Sequence, residues 1–353
     1  MNKEERLAKD LRFLTSEIVS NIPGITTLIL CGGSGRDEGS WIIDDNGEAS
    51  PYNDYDFIAI TDQHIDYQEL GALRKELAKQ IGISWIDIDI LPKKNIPHLK
   101  STIKNIDTIK ASKVLYGNLN DFNLCRELSE EKIGFYDIKK LFYTRMWTFM
   151  GGLKSDYFQM SISDITFFRN QMAKAILAGC DVILIKNGLY TPSYIERVKK
   201  VCQINISEEF KVAARWAVAE KMEPSQTKMS LKEIDELYNS THKHYIYAMK
   251  YAMGWRWKVY SNPIFSYWYQ LLTPSYLMRL VYNLIFRRNF RYDYRLRINI
   301  VQALMFFSYR NKNNECKLIK KVKKILASMG YQFNEEESWD EMRSYVACIR
   351  NEV

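Results

Sequence analysis

The period of the hydrophobic positions changes along this chain, and the change divides it. Leu7, Leu11, Leu14 and Ile18 recur every three or four residues, which predicts an amphipathic helix ending near Asn21-Ile22-Pro23-Gly24. A short apolar run from Thr27 to Cys31 is cut off by Gly32-Gly33, as a buried strand would be. Asp54 to Thr61 (DYDFIAIT) and Ser84 to Leu91 (SWIDIDIL, closed by Pro92) predict two further strands, with a helix over about Tyr67 to Gln80 between them. That order predicts an α/β unit built on a small sheet.

After about Cys125 the strand signals fade and helical periods take over, at 137–153, 161–186, 192–202, 207–221, 230–254, 264–286 and 296–309. The run 317–329 is the clearest. Leu318, Ile319, Val322, Ile325, Leu326 and Met329 share one face, and Lys317, Lys320, Lys321, Lys323 and Lys324 line the other. The pattern therefore predicts an α+β chain, with a mixed-sheet head over 1–125 and a large all-helical domain over 126–353. No internal repeat is visible.

Composition narrows the class. The 353 residues are 46% hydrophobic and 26% charged, with only 16 glycines and 8 prolines, so a sizeable core can be buried. The first residues lack the basic start and apolar middle of a secretory signal, and six cysteines are scattered without a metal-ligand spacing. A cytoplasmic protein with free thiols is expected. A net charge of +8 is modest for this length and does not by itself imply nucleic acid.

Three pieces of the head carry chemistry. Gly32-Gly33-Ser34-Gly35-Arg36 follows a strand directly, where glycines let backbone N–H groups turn inward around an anion and a serine adds a donor. The segment matches neither a P-loop nor a dinucleotide fingerprint, and taken singly such a turn is more often only a turn. Asp54 and Asp56 lie two apart, so on a strand both carboxylates face one side. Asp87 and Asp89 repeat the arrangement among isoleucines. Aspartates are poor strand formers, and hard oxygen ligands suit magnesium, or manganese in its place. Each pair alone is equally well a strand-edge pair; two pairs downstream of a Gly-Gly-Ser turn point to a two-ion site.

With these residues in hand, the head resembles the DNA polymerase beta-like nucleotidyltransferase superfamily. Its signature is a hydrophobic residue, Gly-[Gly/Ser], a spacer, Asp-x-[Asp/Glu] and a later third acid. The resemblance covers roughly residues 25–120. It includes Val114-Leu115-Tyr116-Gly117, which looks like the closing segment of the aminoglycoside nucleotidyltransferase-like and bacterial surface-polysaccharide-associated branch.

The resemblance implies a nucleoside triphosphate, ATP among the candidates, gripped by Gly32, Gly33 and Ser34. Asp54 and Asp56 would hold two magnesium ions. The third carboxylate would be Asp89 or Asp87, with Asp89 preferred for its position before the strand-ending proline. It would also take the acceptor's proton. Arg36 would touch phosphate or else pair with Glu38 or Asp37. Lys174, in an apolar run, would reach the triphosphate or else snorkel to solvent. The spacer before Asp54 is longer than the usual signature. The insertion, with turn-rich Asp44-Asp45-Asn46-Gly47, is expected to form a hairpin, and Gly39-Ser40 competes with Gly33-Ser34 as the signature pair.

The expected reaction transfers a nucleoside monophosphate to a hydroxyl or phosphate of a small molecule or glycan. A protein acceptor and a catalytically silent, membrane-peripheral scaffold are the alternatives.

One stretch stands apart from this chemistry. Between Trp255 and Arg297 lie eight basic residues (Arg256, Lys258, Arg279, Arg287, Arg288, Arg291, Arg295 and Arg297) and one acid, Asp293, among many aromatics. No run of about 18 uncharged apolar residues exists, which predicts no transmembrane helix. The stretch reads as an aromatic core with a basic rim, as a surface for an anionic, glycan or lipid-linked acceptor at the inner face of a membrane, or as a single-strand nucleic-acid surface. His242 and His244, two apart on a helix, point to different faces and are not expected to bind metal. Glu335-Glu336-Glu337 reads as a solvated loop.

Overall fold

The computed structural model describes residues 1–52, 54–118, 120, 128–151, 160–282, 285, 294–308, 315–332, 341–343, 345–346 and 349. Asn53, Arg287, Arg288, Arg291 and Glu335 to Glu337 lie outside the described residues, as does the expected boundary at Cys125.

The opening helix α1 (Lys3–Asn21) starts at a capping box in which the Glu5 N–H donates to Asn2 Oδ1 at 2.9 Å. Strand β1 (Ile25–Cys31) runs straight into a single tight turn, α2 (Gly32–Gly35). The insertion forms a hairpin of β2 (Trp41–Ile43) and β3 (Ala49–Pro51), closed at Gly47 with φ +76°. Then come β4 (Tyr55–Thr61), α3 (Tyr67–Ile81), β5 (Ile86–Pro92), α4 (Ile103–Lys110) and β6 (Lys113–Tyr116).

Helices follow: α5 (Phe135–Gly151), α6 (Ile162–Lys186), α7 (Tyr194–Gln203), α8 (Glu208–Met222), α9 (Leu231–Met253), α10 (Trp257–Tyr260), α11 (Pro263–Leu271), α12 (Pro274–Tyr282), α13 (Tyr294–Ser308) and α14 (Glu315–Ala327). The helix expected over 264–286 is broken in two. Pro274 has no N–H to continue α11, but it fits the first turn of α12.

The chain is therefore mixed α+β, with a small mixed sheet near its start and helices after it. Four strands pair in the order β5-β4-β1-β6. β1 is antiparallel to β4 and β6, while β4 and β5 are parallel, joined by the crossover helix α3. Alternation then sorts the side chains. Leu28, Leu30, Phe57, Ala59, Ile86 and Ile88 pack on α1 and α3 through Leu14, Ile18, Leu70 and Leu77. On the other face Ile29, Cys31, Ile58 and Ile60 form a smaller cluster with Ile96.

Two compact units divide the chain. One is Met1–Asp137 with Ile183–Ser225, and the other is Ile138–Val182 with Gln226–Val353. A single cut near residue 125 assigns 183–225 to the helical body; in the structure that segment, with α7 and α8, belongs to the first unit. Its attachment is polar and long-range, so no local period announces it. The second unit packs Val322, Leu326 and Met329 of α14 against Ile298, Val301 and Met305 of α13, leaving Lys317, Lys320 and Lys321 exposed. His242 is half-buried there against Phe306, with ring centroids 4.4 Å apart. Among the described residues no helix is long and apolar enough to cross a membrane.

Candidate functional site

β1 ends where β4 and β5 begin, and the register decides what meets there. Cys31 pairs with Asp56, and Asp56 pairs with Asp87 on the parallel neighbour. Residues in register on adjacent strands share a face, so Asp56 and Asp87 are side by side. Asp54, just before β4, completes the group. Asp54, Asp56 and Asp87 each offer an oxygen, and the three oxygens lie within 4.8 Å of one another. All three side chains are half-buried. Trp85 Nε1 donates to Asp87 Oδ1 at 2.7 Å and fixes that carboxylate.

The geometry groups Asp87, rather than the preferred Asp89, with Asp54 and Asp56. Asp89 is in register with Ile58, one pleat beyond Asp87, or roughly 6–7 Å along the strand. It is exposed and paired with Lys104. Three carboxylates so close repel one another when ionised. A divalent cation would turn that repulsion into ligation, so the donor set fits a hard ion such as magnesium.

The glycine turn wraps this group. Gly32 has φ +63°, and a Cβ there would overlap Asp56 Oδ2. Glycine is required on both counts. A Cβ on Gly33 would meet the Glu38 carbonyl oxygen at 2.9 Å, because the Glu38 N–H donates back to the Gly33 carbonyl at 2.8 Å. Ser34 follows within the same turn. In the competing pair, Ser40 is buried and its hydroxyl accepts a hydrogen bond from Lys221 Nζ at 2.6 Å.

Arg36 takes the partner open to it in sequence, and another besides. It is buried and pairs with Glu38 and with Asp107, both at 3.3 Å. Asp107 also pairs with buried Arg197 at 3.0 Å and accepts from Tyr190 OH at 2.8 Å. The two guanidinium groups lie over the Tyr194 ring, 4.7 and 4.9 Å from its centroid. Glu38 then accepts from Ser193 Oγ and from the Tyr194 and Ile195 N–H groups at the start of α7. This network holds α7 to the loop after α2. Lys174 belongs to the second unit, half-buried on α6 between buried Ala173 and Ala175.

An open cleft of about 370 Å³ lies over Asp56 and Asp87, within the usual range of small-molecule sites (roughly 300–1,000 Å³). Gly32, Arg36, Asp56, Asp87 and Asp89 line it, together with Arg74 and Lys104. Arg74 reaches the edge of the sheet from α3 and donates to the Ile88 carbonyl. Burial pushes the Cys31 thiol in the cleft wall up to about 12, and the Asp56 charge adds to the effect. Arg74, Lys104, Asp107 and Trp85 carried no signal in the sequence, since each enters the site through a contact between separate elements.

No protein-family model matches this chain, and no curated protein matches it at a significant level.

Proposed function

We propose that the chain is a metal-dependent nucleotidyltransferase of the kind its head resembles, with a small-molecule or glycan acceptor. The reading rests on one observation: three carboxylate oxygens within 4.8 Å of one another, two of them, on Asp56 and Asp87, lining an open cleft with Gly32. Two divalent cations bound by Asp54, Asp56 and Asp87 would neutralise the triphosphate and acidify the acceptor hydroxyl. The backbone of Gly32 and Gly33 and the Ser34 hydroxyl would grip the outer phosphates. Arg36, held by Glu38 and Asp107, would position that turn.

The acceptor oxygen forms a bond to the α-phosphorus, the α–β bridging bond breaks, and pyrophosphate leaves. The acceptor's proton passes to a carboxylate of the cleft or to water. Lys104 and Arg74 add positive charge beside the acids, which suits a substrate carrying phosphate.

Pyrophosphate release is measured with each nucleoside triphosphate and magnesium, across candidate hydroxyl and phosphate acceptors. Magnesium-dependent nucleotide binding and turnover, both lost in Asp56→Asn, are expected. Absence of nucleotide binding by the unaltered chain would overturn the reading, and binding without turnover on any acceptor would favour a silent scaffold.

A further inference from the structure

In the second unit, α11 is built inside out. Its polar residues Ser266 and Gln270 are buried, bonded to the hydroxyl of buried Tyr143 at 3.0 and 2.9 Å. Tyr267 packs on the core, but other apolar residues face water: Phe265 is 55% exposed, Trp268 55% and Leu272, just past the end of the helix, 65%. These lie at helical spacing and form one stripe. α12 continues it, with Leu277, Met278, Val281 and Tyr282 all exposed and Met278 at 68%. Solitary exposed apolar residues are ordinary, but a run of them on two successive helices marks a surface that is covered in use.

Charge identifies the cover. The stretch 255–297 holds eight basic residues against one acid. Exposed Lys258 and half-buried Arg256, whose guanidinium lies 4.9 Å from the Trp255 ring centroid, precede the stripe. Two copies of so basic a stretch would repel each other, whereas anionic lipid headgroups attract it. Nine-residue helices are too short to span a bilayer but can lie in its interface, where Trp and Tyr are favoured. We propose that α11 and α12 form an in-plane docking surface for a membrane rich in anionic lipid. The assignment is independent of the reaction proposed for the first unit.

The full chain is floated with vesicles of phosphatidylcholine alone and of phosphatidylcholine mixed with phosphatidylglycerol. It should partition onto the mixed vesicles at least about tenfold better than onto neutral ones, and lose that preference as salt rises. The double variant Trp268→Ser, Met278→Ser should lower partitioning by about tenfold or more with its melting temperature unchanged. In the unaltered chain, brominated phosphatidylcholine in the mixed vesicles should quench tryptophan emission, which keeps the test independent of how the variant folds. No flotation on either vesicle would overturn the proposal. So would flotation indifferent to the double variant, or a concentration-dependent dimer in light scattering without flotation, which would assign the stripe to a second copy.

Discussion

Gly32 and Asp56 occupy one another's space: the carboxylate of Asp56 sits where a side chain on Gly32 would be. Gly32→Ala therefore forces either the turn or the carboxylate to move, at a backbone with φ +63° that already disfavours alanine. We expect a modest loss of stability, about 1–2 kcal/mol, and a much larger loss of divalent-ion binding. Calorimetric titration with manganese alongside thermal melts checks both. Full manganese affinity in Gly32→Ala would show that Asp56 is not a ligand.

The crowded carboxylates predict opposite effects with and without metal. Asp54→Asn and Asp87→Asn each remove repulsion, so the metal-free protein should melt higher, by about 1 kcal/mol in stability. If magnesium binds as proposed, the same variants should lose the stabilisation it would give the unaltered chain, about 2.7 kcal/mol at a hundredfold excess over Kd. Asp89→Asn, which only frees Lys104, should keep that stabilisation. If Asp89→Asn abolishes it and Asp87→Asn does not, the ligand assignment is reversed.

Asp107 compensates two buried guanidinium groups, Arg36 and Arg197. Asp107→Ala leaves both short of a counter-charge, and removing one partner of a buried ion pair costs about 3–5 kcal/mol. Urea unfolding followed by far-ultraviolet dichroism should show a loss near the lower bound, since Glu38 still pairs with Arg36. A loss below about 1 kcal/mol would mean the network is solvated.

Half-buried His242 gives the second unit an acid sensitivity. Burial holds its pKa below the ordinary 6.5, only partly offset by the Phe306 carbonyl. As pH falls through about 6.5 the unfolded chain takes up a proton that the folded chain refuses, so stability falls with pH below that point. Denaturant melts at a series of pH values from about 7 down to about 5 should show this loss, reduced in His242→Phe. Parallel curves for the two proteins would remove His242 as the cause.

Local chemistry made much of this protein legible. Apolar runs cut by glycine and proline marked β1, β4 and β5, and the alternation of acids with isoleucine put Asp87 and Asp89 on one face. The lysine and leucine faces of α14 could be read directly, because a helix period is a property of neighbours in sequence. The turn at Asp44 to Gly47 likewise announced the hairpin.

Other features depended on which distant elements meet. Asp87 rather than Asp89 stands beside Asp56 because β4 and β5 pair in parallel at that register, and no feature within either strand states the offset. Arg36 finds Asp107 across 71 positions, and Glu38 caps α7 across more than twice that. The return of 183–225 to the first unit follows from those bonds. α11 shows the limit most plainly: its pattern reads as a helix with an apolar face, and the natural inference is that this face is buried. Only packing shows Ser266 and Gln270 inside and Trp268 outside, because burial belongs to what surrounds a helix and periodicity belongs to the helix alone.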